Sequence, residues 1–331
     1  MAKRSDRLGR LNSSIKNCLI SLRRYAVNST ALLLTTLAKI ARVYRAKWKM
    51  ILFYQRSRVI KLFSDSDIEV EKPRVMVAIA HITSPQEAEH PTELGSEKVE
   101  RLRCTIDGLL SSFAHCNLTI TIHTLPGRHV VKALPAYQRQ LVQTIDSPDC
   151  NPMFVEYRLQ DTLIDHVEDY DWFLMLEDDI VISDSSFLEK LSKFNQISGG
   201  LNFVLTPNRY EMHEGRKSYI DLTICSDCAW DSFSLIESDG IKFAECVNPH
   251  SAMYCLSQDQ VRYWLKSGRT WKNKVIMVGP LESAATFCLL ECFCLYKPHP
   301  KNLNYLEVRH YDTKYSKLCP DASPFILSQQ H

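Results

Sequence analysis

Three consecutive carboxylates, Glu177, Asp178 and Asp179, interrupt an apolar run that begins at Trp172 and resumes with Ile180, Val181 and Ile182. Burying three like charges is costly unless something positive balances them. Carboxylate oxygens suit a hard divalent cation, Mg2+ or Mn2+, which takes one or two protein carboxylates and completes its shell with substrate phosphates. No Gly or Pro stands within the stretch, so an ordinary surface turn is not expected, and the segment reads as the meeting point of a metal and a phosphate-bearing ligand. Alternate side chains of a strand share a face, which groups Glu177 with Asp179 and turns Asp178 away.

The stretch Leu174–Ile180 resembles the DxD region of GT-A glycosyltransferases in a Glu-x-Asp form, with Glu177 where the usual motif has Asp. Pro207-Asn208-Arg209-Tyr210-Glu211, Pro249-His250-Ser251 and Val278-Gly279-Pro280-Leu281-Glu282-Ser283-Ala284-Ala285 follow. Tyr296-Lys297-Pro298 and Leu306-Glu307-Val308-Arg309-His310 complete the series. Together they resemble a bacterial group of family 2-like glycosyltransferases over residues 73–315. The resemblance implies a GT-A-like α/β fold with a mostly parallel central sheet flanked by helices. It also implies metal-dependent transfer, with inversion, of a sugar from a nucleotide-sugar to a glycan or lipid-linked acceptor. His310 becomes a candidate third metal ligand beside Glu177 and Asp179, because GT-A enzymes often complete the metal site from a C-terminal His.

Such a reaction needs a cation on the leaving diphosphate, a base for the acceptor hydroxyl, and groups that hold the donor. Glu282 follows Gly279-Pro280 and opens an apolar helix expected over Ser283–Leu290. A helix N-terminus favours the ionised carboxylate, and Glu282 is the candidate base. Arg209 is a candidate for phosphate or a sugar hydroxyl, as are His81, Glu177 and Asp178 for the donor. Tyr210, Glu211 and His250 are candidates for the acceptor, and Lys297 and Arg309 for diphosphate counter-charges. The same carboxylates would also serve a nucleotidyltransferase or a phosphohydrolase, and a degenerate transferase fold could bind glycan without turnover.

The elements that must position these residues alternate between strand and helix, which implies a parallel sheet under helices. Strands are expected at Val75–Ile82, Leu118–His123, Met153–Tyr157 and Leu201–Thr206, with the carboxylate strand between the last two. Helices are expected at Glu97–Phe113, Tyr137–Ile145, Thr162–Glu168 and Ser186–Phe194, and a loop at 84–98. Ligands bind beyond the carboxyl ends of such strands, where the carboxylates, His81 and His123 all fall.

The chain has 331 residues and a net charge of +2, which hides an asymmetry. Residues 1–62 hold fifteen Lys/Arg and one acid, Asp6, for +14; the remainder holds twenty-five against thirty-seven, for −12. The chain therefore divides into a basic extension, 1–62, and a transferase-like domain, 63–331. Leu11, Ile15, Cys18, Leu19 and Leu22 recur at helical spacing among basic residues, a pattern for a helix lying on an anionic membrane surface. Nucleic-acid binding is not expected, because no stacking motif accompanies the charge. No signal peptide or spanning helix is evident, so the expected location is cytoplasmic, with peripheral membrane attachment. Of the twelve cysteines, Cys225 and Cys228 form half of a zinc-type spacing; the others read as small buried hydrophobes. A chain lacking residues 1–62 is expected to fold yet lose binding to anionic vesicles, whereas the full chain binds them less as salt rises. Co-sedimentation with anionic and neutral vesicles at two salt concentrations checks this. Equal binding to both would favour the alternative reading of 1–62 as an organellar transit segment.

Overall fold

The computed structural model describes residues 71–221, 234–245, 249–269, 275–276 and 279–318. The basic extension and the cysteines at 225, 228 and 246 lie outside these residues. No helix of the described residues is long and apolar enough to cross a membrane.

A central sheet runs in the order β11-β4-β1-β2-β3. Its strands are β1 (Arg74–Ala80), β2 (Asn117–Thr124), β3 (Val142–Asp146), β4 (Trp172–Glu177) and β11 (Met253–Ser257). β1 pairs in parallel with β2 and β4, and β2 with β3, while β11 runs antiparallel to β4. This is the α/β class expected, a mostly parallel sheet flanked by helices. Both faces are buried, which is why β1 and β4 read as unbroken apolar runs. Alternation divides them cleanly. Val75, Val77, Ile79, Leu174 and Leu176 join the core under the helices Ser96–Ser112 and Phe187–Ser198. Met76, Ala78, Phe173 and Met175 join the core under Val155–Asp165 and Gln258–Lys266.

Two smaller sheets complete the described architecture. One runs β6 (Phe203–Leu205), β12 (Cys294–Pro298), β10 (Ile241–Glu245) and β9 (Leu235–Ser238). The other runs β5 (Ile180–Val181), β13 (Glu307–His310), β7 (Asn208–His213) and β8 (Arg216–Tyr219). β13 is held between β5 and β7, with His310 opposite Ile180 and Arg309 opposite Tyr210. The strand that follows the carboxylates is thus tied to the strand that carries His310.

The local structure departs from expectation in four places. The loop expected at 84–98 contains a helix, Pro85–Glu89, started by a capping box: Glu87 N–H donates to Ser84 Oγ, and Ser84 N–H to Glu87 Oε2. The helix expected at Tyr137–Ile145 is shorter, Ala136–Leu141, and gives way to β3. The strand expected at Met153–Tyr157 is instead the start of Val155–Asp165, preceded by one 3-10 turn that Asn151 caps. Asp178 and Asp179 form a turn between β4 and β5, not a continuous strand, although both are buried.

The helix Ser96–Ser112 is fastened along this turn. Thr105 Oγ1 donates to the Asp178 carbonyl at 2.9 Å, and Ser112 Oγ to the Ile182 carbonyl at 3.0 Å. Between them Gly108 permits the approach, since a Cβ there would lie 2.6 Å from Ile182 O and 2.9 Å from Val181 Cγ1. Gly108→Ala is therefore expected to destabilise by about 1–3 kcal/mol, the range for overpacking, despite a helix-propensity gain of about 1 kcal/mol. Urea denaturation checks the sign, and a stabilised variant would show that the helix is not held this closely.

Candidate active site

β1, β2 and β4 end level with one another, Ala80 standing opposite both Glu177 and His123. The chain beyond these ends brings together residues far apart in sequence. His81 is buried, and its Nδ1 lies 2.5 Å from Asp178 Oδ2. Its Nε2 accepts the Val130 N–H at 3.2 Å, so the hydrogen-bond network assigns the ring proton to Nδ1 and aims it at Asp178. Lys98 Nζ lies 3.6 Å from the same carboxylate oxygen. Burial pushes Asp178 up, but the His81 hydrogen bond and the charges of Lys98 and Arg101 outweigh it and leave the group below its ordinary range. Asp178 is thereby a satisfied, ionised carboxylate.

Asp179 is placed differently. Its Oδ2 faces His310 Nε2 at 3.5 Å and Arg101 at 3.8 Å, both too long for good hydrogen bonds. Its Oδ1 is buried without a hydrogen-bond partner. On the far side of the ring, His310 Nδ1 lies 2.9 Å from Glu211 Oε1, and an ionised carboxylate there can only accept. Glu211 also accepts from the backbone N–H groups of Tyr315 and Ser316, and it is fully buried. A neutral His310 therefore turns its Nε2 lone pair towards an oxygen lone pair of Asp179. Two acceptors facing each other at this distance need a proton or a cation between them. Carboxylate, imidazole and metal in sequence is a common arrangement for divalent sites, the outer carboxylate fixing the ring.

Glu177 and Glu156 add to the negative charge. Burial, reinforced by Asp179, pushes Glu177 up to about 8. Burial, reinforced by the charge of Asp178, also pushes Asp179 above its ordinary value. Glu156, in the first turn of the Val155–Asp165 helix, is raised further by burial and by the charges of Glu177 and Glu282, and its Oε2 is buried without a partner. Glu282 itself lies in the first turn of the helix Pro280–Ala285, as expected, although the helix ends earlier and a 3-10 turn follows. A Cβ on Gly279 would lie 2.7 Å from Glu282 Oε2, so the glycine makes room for this carboxylate to fold back over the helix start.

The backbone beside Glu177 is strained. Ala252 is buried with a left-handed φ of 51°, unusual for a residue with a Cβ, and its carbonyl accepts the Glu177 N–H at 3.1 Å. Such strain persists only where the surroundings impose it, and it concentrates at functional sites.

Arg209 is directed elsewhere. Its Nε and Nη2 donate to Asp221 Oδ1 at 3.0 and 2.9 Å, and its backbone N–H to Oδ2 at 3.0 Å. Lys297 Nζ reaches Asp221 Oδ2 at 2.5 Å and the His250 carbonyl at 2.8 Å. Burial would raise Asp221, but the two cations hold it down at about 2. This cluster carries one excess positive charge, and Arg209 lies near enough to Glu177 to oppose its protonation. His250 stacks on Phe287, its ring centroid 5.7 Å away, and burial lowers its pKa to about 3, with Arg209 adding to the effect.

The structure thus gathers His81, Glu177, Asp178, Asp179, Glu211 and His310, with Glu282 and Arg209 close by in charge. It does not bring Tyr210 among them. Tyr210 points to the opposite face of β7, under Lys217 Nζ at 4.1 Å. Arg309 occupies that face of β13 too, over the Tyr311 ring at 4.5 Å. Sequence reasoning missed Lys98, Arg101, Glu156 and Asp221. Among the described residues no three His, Cys, Asp or Glu side chains form a ready-made metal cage. Two protein ligands suffice for an ion that keeps water and substrate oxygens, and the unpartnered Asp179 Oδ1 with the oriented His310 fits Mn2+ or Mg2+.

No family model matches the sequence, and no curated protein matches it. Among solved structures, the chain is similar to the galactosyltransferase LgtC in complex with donor and acceptor sugar analogs. The identity is 11% and the TM-score 0.33, over 66% of this chain and 72% of that one. An active-site mutant of LgtC is similar at 12% identity, with the same TM-score of 0.33 and the same shares of 66% and 72%.

Glu177, Asp179 and Glu156 all bind a proton more readily in the folded protein than in the unfolded chain. Their contribution to stability is therefore full below the unfolded values and is lost as pH rises through the folded ones, about 8 for Glu177. Buried His123 and His250, lowered to about 4 and about 3, act in the other direction, but only on acidification below the unfolded His value of 6.5. In metal-free buffer, the contribution of Glu177 should accordingly fall as pH rises from its unfolded value of 4.5 to about 8, most plainly above 6.5 where the histidines no longer oppose it, and Glu177→Gln should flatten the slope. Thermal melts with chelator across this range check the sign; a rise in stability would contradict the buried-acid reading.

Proposed function

We propose that this protein is a metal-dependent glycosyltransferase, moving a sugar from a nucleotide-sugar donor to a hydroxyl of a glycan or lipid-linked acceptor with inversion. The observation that carries the reading is the alignment Asp179–His310–Glu211 beyond the carboxyl ends of β1 and β4, in which Asp179 turns Oδ2 towards an oriented imidazole and keeps Oδ1 buried without a partner. Asp179 and His310 would hold Mn2+ or Mg2+, with Glu177 beside them. The bound ion would neutralise the charge that develops on the leaving diphosphate. A groove beside His81, lined by Pro85, Ala88, Glu89, Gly127, His129 and Lys132, lies off the ends of β1 and β2 and offers room for the nucleotide.

The chain's own residues do the remaining work. Glu211 keeps the His310 ring turned. His81 and Lys98 keep Asp178 ionised and away from Asp179. Glu282, in the first turn of its helix, accepts the proton of the attacking hydroxyl. Glu177 and Glu156 are carboxyl groups nearby.

Asp179→Ala is expected to abolish Mn2+-dependent donor binding without unfolding the protein, and calorimetry with a panel of nucleotide-sugars checks it. Unchanged metal-dependent binding would remove the metal assignment. Glu282→Gln should retain donor binding while transfer falls by about 10²–10⁴-fold, the usual share of general base catalysis. Product analysis in the same assay separates reaction classes, since a transferase releases a nucleoside diphosphate rather than pyrophosphate or inorganic phosphate.

A further inference from the structure

We infer that Lys98 and Arg101, one turn apart on the Ser96–Ser112 helix, form the anion site that binds the phosphate oxygens of the donor's diphosphate; the inference rests on the transferase reading above. The two side chains share a face of the helix. Lys98 Nζ stands 3.6 Å from Asp178 Oδ2, and Arg101 Nη1 3.8 Å from Asp179 Oδ2, so both cations border the proposed ion site. Their position is fixed by the contacts of Thr105, Gly108 and Ser112 with the carboxylate turn and its following strand.

The other candidate cations are engaged or turned away. Arg209 and Lys297 both belong to Asp221. Arg309 also has a buried Nε without a partner, but it sits over Tyr311 on the opposite face of β13 from His310. Arg101, by contrast, has donors to spare. Its Nη2 meets Glu97 and Asp312, its Nη1 is only loosely placed towards Asp179, and its Nε is buried without a partner. Both side chains keep some exposure, 29% for Lys98 and 15% for Arg101, so a ligand can reach them. The planar guanidinium suits two oxygens of one phosphate, while the ammonium serves as a point charge. Asp179, once shared with a divalent cation, holds Arg101 less, which leaves the guanidinium for the phosphate beside it.

The arrangement predicts opposite effects on two ligands. In the full chain, Arg101→Gln and Lys98→Gln should each weaken binding of uridine, guanosine, adenosine or cytidine diphosphate in Mn2+ by about tenfold or more. Binding of Mn2+ alone should be unchanged or tighter, because a competing cation next to Asp179 has been removed. Arg101→Lys should restore part of the diphosphate affinity. Calorimetry with Mn2+ alone, and with each diphosphate and its parent nucleoside in Mn2+, reads all of these. Diphosphate affinity equal to wild type, or parallel loss of Mn2+ and diphosphate binding, overturns the inference and makes the pair structural. Failure of the wild-type chain to bind any diphosphate in Mn2+ overturns the transferase reading along with it, so the two failures are told apart.

Discussion

Negative charge buried at the carboxyl end of β4 is the constraint that the surrounding structure answers. Glu177, Asp178 and Asp179 lie next to each other, and Glu156 and Glu282 approach from two helices. Each carboxylate is answered in a different way. Asp178 receives a ring N–H and an ammonium and stays ionised. Glu177 and Glu156 are pushed towards the neutral acid. Asp179 is left half-satisfied between an imidazole and a guanidinium. That gradient, from fully to half compensated between adjacent residues, leaves Asp179 as the carboxylate that the proposed cation would answer.

The compensating groups arrive from long sequence distances, and this decided what the sequence could reveal. The carboxylates announced themselves because charge inside an apolar run has few bland explanations. The helix Ser96–Ser112 was expected within one residue at each end, since its apolar spacing is regular. His310 followed from the family resemblance alone. Lys98 and Arg101 were invisible because basic residues on an amphipathic helix ordinarily face water, and only the docking of that helix on the turn brings them to Asp178 and Asp179. Glu156 was lost with the mistaken strand at Met153–Tyr157. A short apolar run does not distinguish strand from helix, although Asn151 stands where it caps a 3-10 turn. Pro85 and Pro91 hid the short helix after β1 although Ser84 and Glu87 had the spacing of a capping box.

Asp221 had no signal of its own. It draws its meaning from the β7–β8 hairpin, which returns the chain so that Asp221 meets Arg209, and from β12, which delivers Lys297. Isolating a carboxylate between two buried cations seldom adds net stability over an apolar replacement, but removing one partner of such a set costs about 3–5 kcal/mol. The cluster therefore fixes relative position more than it strengthens the fold. It pins β7 to the end of β12, and with β7 comes Glu211. The residue that turns His310 is in this way held by a network of its own, which touches the carboxylates at β4 only through the charge of Arg209 near Glu177.

Glu211 has one further partner set, the N–H groups of Tyr315 and Ser316 at the start of the Lys314–Leu318 helix. The same carboxylate thus seats a helix and orients an imidazole. A chain emerging from the ribosome presents β1, β2 and β4 first, but the cores on their two faces also take late residues, Leu295, Leu306 and Val308 among them. His310 comes out some 130 residues after the carboxylates, and the helix that seats Glu211 follows it. The acidic turn and the ring that faces it are therefore completed together, late in the chain. A product truncated before Tyr315 would keep His310 yet lose the N–H groups that hold Glu211, leaving the ring that faces Asp179 poorly held.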